Sequence, residues 1–288
     1  MQRVLHNIPQ DITASFFVVL HMPRSETSLL PDILARASGI PAEHPMDGQP
    51  ILPRHIYIAP PDHHLLIENG YVHLSRGLAE NRHRPSINST FRSAALAFGP
   101  RVIGIILSGS LDDGISGLWQ IKRCGGYTIV QDPAGAAFPE MPLSALALVE
   151  IDSICTLDEI PALLREITKV SPQDNRLEDE PGSSSVQTNL TCPDCRGAVH
   201  MIRRGDLSEF SCRIGHTYTF EGILAAHRTT QENALWAAVV ALEEGAELAR
   251  MIASRSDTGD RIQLQKEADA RLENSRRIAS MIVDNHNQ

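Results

Sequence analysis

Basic charge and long apolar runs are both scarce in this 288-residue chain. Lysine and arginine number 26 against 35 aspartates and glutamates, which gives a formal net charge of −9. A protein that follows nucleic-acid phosphates needs a basic face, so this balance argues against a nucleic-acid binder. No apolar run approaches the ~20 residues needed to cross a bilayer, which argues against membrane insertion.

A targeting signal is also missing from the first ten residues, MQRVLHNIPQ, which have neither an apolar core nor a small-residue cleavage site. We therefore expect a cytoplasmic protein. Hydrophobic residues make up 42% of the chain and charged residues 21%, close to globular averages. A chain of this length can bury a core without disulfides and forms one large or two ordinary domains.

The five cysteines are an odd number, and three of them lie within residues 192–212. Cys192 and Cys195 form a C-x2-C pair, and Cys212 and His216 form a C-x3-H pair after 16 intervening residues. Two such pairs can complete a tetrahedron, and thiolate and imidazole ligands suit Zn²⁺. The spacing predicts a structural zinc site, with reduced unliganded cysteines as the alternative. The acidic balance makes protein contact a better expectation for this module than nucleic-acid contact.

Short apolar runs alternate with helical stretches from Phe16 to about Val170. The runs are continuous rather than alternating in polarity, which is typical of parallel strands buried on both faces. Residues 1–170 are therefore predicted to form an α/β domain, three-layered and doubly wound around a mainly parallel sheet. Asn69-Gly70 predicts a hairpin turn between two further apolar runs, because both turn positions favour positive φ.

The remainder of the chain divides into three segments by composition. Residues 171–190 are rich in Pro, Ser and acidic side chains, which predicts a flexible acidic linker. The cysteine-rich residues 191–220 form a zinc-binding knuckle module in this interpretation. Residues 221–288 carry apolar positions at 3-4 spacing and are predicted to form a helical hairpin. A self-packing hairpin is preferred to a coiled-coil surface for a partner.

Polar side chains follow two predicted strands at the point where each ends. His21 comes directly after the 16–20 run, and Asp112 and Asp113 lie in the loop after the 102–107 run. Carboxyl ends of parallel strands meet at one edge of a sheet, so these groups are candidates for a shared site. A histidine oriented by an aspartate is two-thirds of a hydrolase triad. The alternative is that His21 merely ends a strand and the aspartates cap the next helix.

The only dense basic run of the first domain, residues 81–85, contains Arg82 and Arg84. This run is interpreted either as a solvated loop or as a lip that grips an acidic partner. Under the second interpretation, Arg82 and Arg84 are candidate substrate-binding residues.

Five ordered motifs carry a family resemblance across nearly all of residues 1–170. They are HMP at 21–23, HIYIAPPDHHLL at 55–66, NRHRPS at 81–86, SGSLDDG at 108–114, and GGYTIVQDP at 125–133 leading to MP at 141–142. Together they resemble the chemotaxis protein-glutamate methylesterase (CheB-type) family. The resemblance implies a Ser-His-Asp esterase, without a catalytic cofactor, that demethylates glutamate methyl esters on chemoreceptors. Many members also deamidate receptor glutamines. By position, His21 would be the general base and Asp113, immediately before Gly114, its orienting carboxylate.

The chain departs from the family pattern at the nucleophile. The family serine lies in a Gly-Ser-x-Gly-Gly turn after the first strand, and this chain contains no such turn. Ser15 is the only serine ahead of His21 and has no glycine beside it. Val4, Leu5 and Ile8 have the spacing of one helix face, so we expect the chain to begin inside the helix that follows the missing turn.

Two explanations of that departure remain open. Either the true protein begins a few dozen residues upstream, or the chain is a non-catalytic adaptor that binds receptors or signalling partners. The loop before Asp113 departs as well, because Ser110 and Leu111 replace a methionine and a glycine. Leu111 would be strained if its position requires positive φ. The residues before His21 and after Val170 do not resemble the receiver domain that some family members carry, so we expect no control by phosphorylation of such a domain within this sequence.

Overall fold

The described part of residues 1–170 consists of short buried strands separated by helices, as the apolar pattern predicts. The structure, a computed structural model, describes residues 1–22, 28–170, 183–205, 207–255 and 257–286. The helices of this part are α1 (Gln2–His6), α2 (Leu30–Ser38), α3 (Ile87–Phe98), α4 (Ile115–Arg123), α5 (Glu140–Leu148) and α6 (Ile160–Ile167). The strands are β1 (Phe16–Val18), β2 (Ala42–Glu43), β3 (Gln49–Pro50), β4 (Ile56–Ile58), β5 (His64–Glu68), β6 (Tyr71–Ser75), β7 (Ile103–Ile106), β8 (Tyr127–Gln131) and β9 (Ser153–Cys155).

Two three-stranded parallel sheets form the centre of this α/β region. One has the order β1-β4-β2 and the other the order β7-β8-β9. In the first, Phe16 pairs with Ile56, and in the second, Ile103 pairs with Tyr127. The predicted α/β class with parallel strands is confirmed. Within the described residues, β1 and β7 each have a strand on one side only.

Apolar helix faces cover the strands from both sides. Leu34 of α2 and Leu164 of α6 pack in one core cluster with Ile129 of β8. The next residue, Val130, faces the opposite way and packs with Leu118 of α4 in a second cluster. Because successive strand residues point to opposite faces, a continuous apolar strand such as β8 supplies both clusters.

An antiparallel sheet of order β3-β6-β5 lies within the same region. Its central hairpin turns at Asn69 and Gly70, which have φ of 51° and 85°. Both values lie in the left-handed region that the Asn-Gly pair predicts.

The cysteine-rich segment folds as a four-stranded antiparallel sheet in the order β10-β11-β12-β13. Its strands are β10 (Ser183–Thr191), β11 (Ala198–Arg204), β12 (Leu207–Cys212) and β13 (Thr217–Tyr218). Strand β10 corrects the linker prediction for residues 183–190, because Val186 pairs with Met201 and Ser183 with Arg204. The rest of the predicted linker, residues 171–182, lies outside the described residues.

Two long helices, α7 (Phe220–Ala253) and α8 (Thr258–His286), end the chain. The chain divides into two units, Met1–Ile223 and Leu224–Gln288. In the second unit, Ala246 and Ala249 of α7 pack with Ala268 of α8. The predicted helical hairpin is confirmed. Among the helices described, none combines the length and the apolar character that crossing a bilayer requires.

Candidate active site and metal centre

His21 and Asp113 meet at the carboxyl edge of the parallel strands. His21 follows β1, and Asp113 lies between β7 and α4. The His21 Nε2 atom lies 2.9 Å from Asp113 Oδ2. The topology therefore brings together two residues that are 92 positions apart in the chain, as expected for strand ends that share one edge of a doubly wound fold.

Asp113 is held by the start of helix α3. The Ser86 hydroxyl donates to Oδ1 at 2.9 Å, and the Ile87 N–H donates to Oδ2 at 2.7 Å. Burial of Asp113 would by itself raise its pKa, but the contact with His21 and the Ile87 N–H lower the pKa below its ordinary value. An ionised carboxylate only accepts hydrogen bonds, so Nε2 of His21 carries the proton. Nδ1 is then left with a free lone pair, as a general base requires.

A second histidine lies flat against the first. The rings of His21 and His83 are stacked, with centroids 3.8 Å apart and planes 3° apart. Burial lowers the pKa of His83, and the neighbouring His21 and Arg82 lower it further while Asp113 opposes them. A neutral His83 ring restricts rotation of His21 without placing a second positive charge beside it.

The loop that carries Asp113 contains two left-handed residues. Leu111 has φ of 60°, so the strain expected of a leucine at this position is present. Gly114 has φ of 100°, and a Cβ there would lie 2.7 Å from Ile106 Cδ1 and 2.8 Å from Ile87 Cγ2. Gly114 therefore allows both the turn and the close approach of Asp113 to helix α3.

Asp112 is as buried as its neighbour but differs in its contacts. Neither of its carboxyl oxygens has a hydrogen-bond partner in the described structure. Burial raises the pKa of Asp112 to about 7, and the carboxyls of Glu221 and Asp113 raise it further against an opposing contribution from Thr219. Asp112 therefore points away from His21, toward the beginning of α7.

Arg84 and Arg82, the candidate substrate-binding residues, have different surroundings. Arg84 donates to Asp62 Oδ1 through Nε and Nη2, and its Nη1 donates to two backbone carbonyls. Its donors are thus used within the α/β region. Arg82 is 42% exposed and lies 3.7 Å from Asp194 of the cysteine-rich segment. A substrate-binding role for either residue stays a prediction. Arg82 is the better candidate, because it is more exposed than Arg84.

A largely apolar cavity of about 580 Å³ separates the open edges of β1 and β7. Phe16 to Leu20 line one side, and the other side is lined by Ile103, Ile105, Ile106 and Leu107. The cavity reaches His21 and His83, so it extends from the sheet interior to the candidate active site.

Among the described residues, no serine hydrogen-bonds to His21, whose ring contacts Asp113. Ser15, which also lines the cavity, donates its hydroxyl to the Leu52 carbonyl at 2.8 Å. Ser108 is engaged as well, because its hydroxyl oxygen accepts the Phe138 N–H at 2.8 Å.

The four predicted metal ligands form one cluster. The ligand atoms of Cys192, Cys195, Cys212 and His216 all lie within 4.8 Å of one another. The Cys195 and Cys212 sulfurs are 3.7 Å apart, and His216 Nδ1 is 3.5 Å from the Cys212 sulfur. A tetrahedral ion with bonds of about 2.3 Å places its ligands roughly 3.7 Å apart, so this donor set fits a metal ion.

Tight turns create that cluster. The Arg196 N–H donates to the Cys192 carbonyl at 2.8 Å, and the Gly215 N–H donates to the Cys212 carbonyl at 2.9 Å. Arg196 and Gly215 have φ of 62° and 110°, which closes each knuckle. Each turn therefore directs its two ligand side chains to the same point.

The family profile for CheB methylesterase matches residues 1–164, more than half of the chain. The chain belongs to the CheB methylesterase family. The catalytic domain of the Thermotoga maritima CheB methylesterase has a similar structure, with a TM-score of 0.55 and 31% identity. That comparison covers 59% of this CheB-family chain and 90% of the Thermotoga domain.

Curated relatives agree with this assignment. A protein-glutamate methylesterase/protein-glutamine glutaminase 2 of Rhizobium johnstonii is 35% identical over 164 residues, covering 56% of this chain and 45% of the relative. A protein-glutamate methylesterase/protein-glutamine glutaminase of Paraburkholderia xenovorans is 36% identical over 182 residues, covering 62% and 49%. The CheB-family chain thus spans about half the length of the curated relatives it matches.

Sequence reasoning missed three residues around the pair. Ser86, which binds Asp113, directly precedes α3, and a serine before a helix is usually interpreted as a cap. His83 and Asn81 belong to the basic run and to the NRHRPS motif, and neither pattern indicates which residues they contact. Only the tertiary fold shows that this loop lies beside His21.

Proposed function

We propose that this protein is a protein-glutamate methylesterase, with protein-glutamine deamidase activity as a related reaction of the same site. The observation that carries the proposal is the contact of His21 Nε2 with the buried, anchored carboxylate of Asp113. The names of the curated relatives, protein-glutamate methylesterase/protein-glutamine glutaminase, support the substrate class. The substrates would be methylated glutamates on the cytoplasmic helices of chemoreceptors.

In the proposed reaction, Nδ1 of His21 removes the proton from a serine hydroxyl. The serine oxygen attacks the ester carbonyl carbon, and methoxide leaves as methanol with the proton that His21 returns. Water then cleaves the acyl-serine bond with His21 again acting as the base. Asp113 keeps Nε2 protonated and stabilises the imidazolium that forms in each step.

We propose that the serine is delivered by a strand between β1 and β7. Both strands are parallel-paired on one side and open on the other among the residues described, and an apolar cavity lies between them. A strand that fills this space and runs parallel to both would end at the edge where His21 lies. A turn at its end would then bring a side chain to Nδ1.

Two fusion proteins test the proposal. An apolar strand followed by Gly-Ser-x-Gly-Gly is joined ahead of Met1, whose side chain lines the cavity. The matched control carries alanine in place of that serine. We expect methanol release from methylated receptor with the serine fusion alone, and a loss of about 10³-fold or more when it also carries His21→Ala.

The result that would refute the proposal is a folded serine fusion that releases no more methanol than its alanine control. Methanol release by the 288-residue chain alone would place the nucleophile within it, and Ser110→Ala would then be the first variant to assay. Specific binding of methylated receptor without hydrolysis by either fusion would establish the adaptor function instead.

We propose Zn²⁺ as the ion of the cysteine cluster. Three thiolates and one imidazole suit zinc, and four protein ligands leave no position open for a substrate. The ion would hold the two knuckles together and would take no part in ester hydrolysis.

A further inference from the structure

The second knuckle of the cysteine cluster is continuous with a contact on the active-site loop. Thr217, directly after the ligand His216, accepts the Asn81 N–H at 2.9 Å through its carbonyl. The Thr219 N–H donates to the side-chain Oδ1 of Asn81 at 2.9 Å. Asn81 is buried, and a parallel β-bridge joins Glu80 to Thr217. Backbone and side chain of one loop residue are therefore both held by the knuckle.

The loop adopts a conformation that needs such support. Asn81 and Arg82 have φ of 49° and 64°, so two successive non-glycine residues are left-handed. Residues stay in this region when their surroundings hold them there. On the preceding side, the Glu80 carboxyl accepts hydrogen bonds from Ser89 and Arg92 of α3, which fixes the loop to the α/β region.

The next residue of the loop is His83, which stacks on His21. The His83 N–H donates to the Glu80 carbonyl at 2.8 Å, so the ring's position depends on the same short turn. The centroids of the two rings are 3.8 Å apart, and the ring planes are nearly parallel. A change of a few tens of degrees in the Asn81 or Arg82 backbone would move the His83 ring off His21.

We propose that the metal-bearing knuckle positions the general base: through Asn81 it holds the left-handed loop that keeps His83 stacked on His21. Asn81 and His83 are positioning residues in this arrangement. Metal loading then favours one orientation of the His21 ring. The inference rests on the proposed function only for the role of His21, and its test measures ring and loop geometry rather than hydrolysis.

The first experiment compares the 288-residue chain loaded with Zn²⁺ and the same chain after a chelator has removed the metal. Amide hydrogen exchange at Asn81 and His83 should accelerate by about tenfold or more in the stripped protein. The Ala59 N–H, which donates to Val18 within the parallel sheet, is the internal reference and should keep its protection. In the same samples, the His21 ring-proton resonances should move downfield as the stacked ring leaves.

A second experiment breaks the contact while the metal stays bound. Asn81→Gly keeps the left-handed backbone accessible but removes the oxygen that accepts the Thr219 N–H. Asn81→Asp retains an acceptor at the same place. We expect the downfield shift of the His21 ring in the glycine variant, return toward the native position in the aspartate variant, and full metal content in both.

Two results would overturn the proposal. One is unchanged exchange at Asn81 and His83 after complete metal removal. The other is a native His21 ring resonance in metal-loaded Asn81→Gly. Both readouts are independent of methanol release, so failure of the serine fusion to release methanol would refute the esterase function and leave this proposal standing.

Discussion

Asp112 and Asp113 are adjacent carboxyls whose pKa values move in opposite directions. The fully buried Asp113 receives hydrogen bonds from Ser86 and Ile87 and meets His21, so its pKa falls. Burial raises the pKa of Asp112 to about 7, and the nearby Glu221 carboxyl adds to that rise against an opposing contribution from Thr219. Both carboxyls are buried, so depth of burial does not explain the difference between their pKa values. The hydrogen-bond donors around Asp113 keep it anionic beside His21, whereas Asp112 favours its neutral form.

Asp112→Asn should stabilise the protein at pH 8. In the unfolded chain this carboxyl loses its proton near pH 4, whereas in the folded chain it does so near pH 7. Its contribution to stability is therefore fully present below about pH 4 and is lost as the pH rises to about 7. The neutral amide avoids that loss, so we expect a gain of roughly 1–4 kcal/mol at pH 8.

Urea unfolding at pH 4 and pH 8 measures the effect of Asp112→Asn. The difference between variant and parent should be small at the lower pH and large at the higher. An equal difference at both pH values would show that Asp112 does not titrate as described.

Helices α3 and α4 determine where Asp113 lies. The beginning of α3 supplies the hydrogen-bond donors to Asp113, and α4 begins shortly after Asp113 in the chain. Their close approach depends on Gly117 of α4. A Cβ at this position would lie 2.5 Å from Phe91 Cβ and 3.0 Å from the Asn88 carbonyl oxygen of α3. The Gly117 N–H also donates to the Asn88 side chain at 2.8 Å.

Gly117→Ala should therefore force the two helices apart. Overpacking of this kind costs about 1–3 kcal/mol, partly offset by the ~1 kcal/mol that alanine gains in a helix. Urea unfolding should show net destabilisation. Gly135→Ala is the control, because a Cβ there has no atom within 4 Å among the residues described. Equal stability of the two variants would contradict this account of the packing.

The elements differ in how much of them the sequence could predict. The α3 helix, Ile87–Phe98, and the β8 strand, Tyr127–Gln131, belong to the predicted alternation of helical stretches and apolar runs, because the local apolar pattern determines each. Strand β10 was missed because its Ser- and Thr-rich sequence has no apolar pattern, and pairing with β11 creates it. The contact of Asn81 with Thr219 joins residues 138 positions apart and had no local signal.

On the scale of the whole molecule, a fold of the CheB methylesterase family is followed by a cysteine-bearing sheet and a helical hairpin. The α/β region carries the proposed chemistry, and the cysteine cluster lies in the same unit, Met1–Ile223. The net charge of −9 gives the chain no general electrostatic attraction to nucleic acid.

Purified protein should contain about one zinc ion per chain. The double variant Cys192→Ser, Cys212→Ser should contain almost none, because two of the four ligands are lost. Cys124→Ser, which changes a cysteine of the α/β region at the end of α4, should keep the full content. Metal analysis after dialysis measures all three, and a parent value near zero with zinc supplied in excess would refute the site.

The cavity between β1 and β7 has a further consequence, for behaviour in solution. Each of these strands directs backbone N–H and carbonyl groups into an apolar space, and on that side neither is paired with a described strand. Exposed edges of this kind pair with strands of other molecules and lead to aggregation unless they are covered. Coverage of those two edges should therefore decide the concentration at which the protein stays monodisperse.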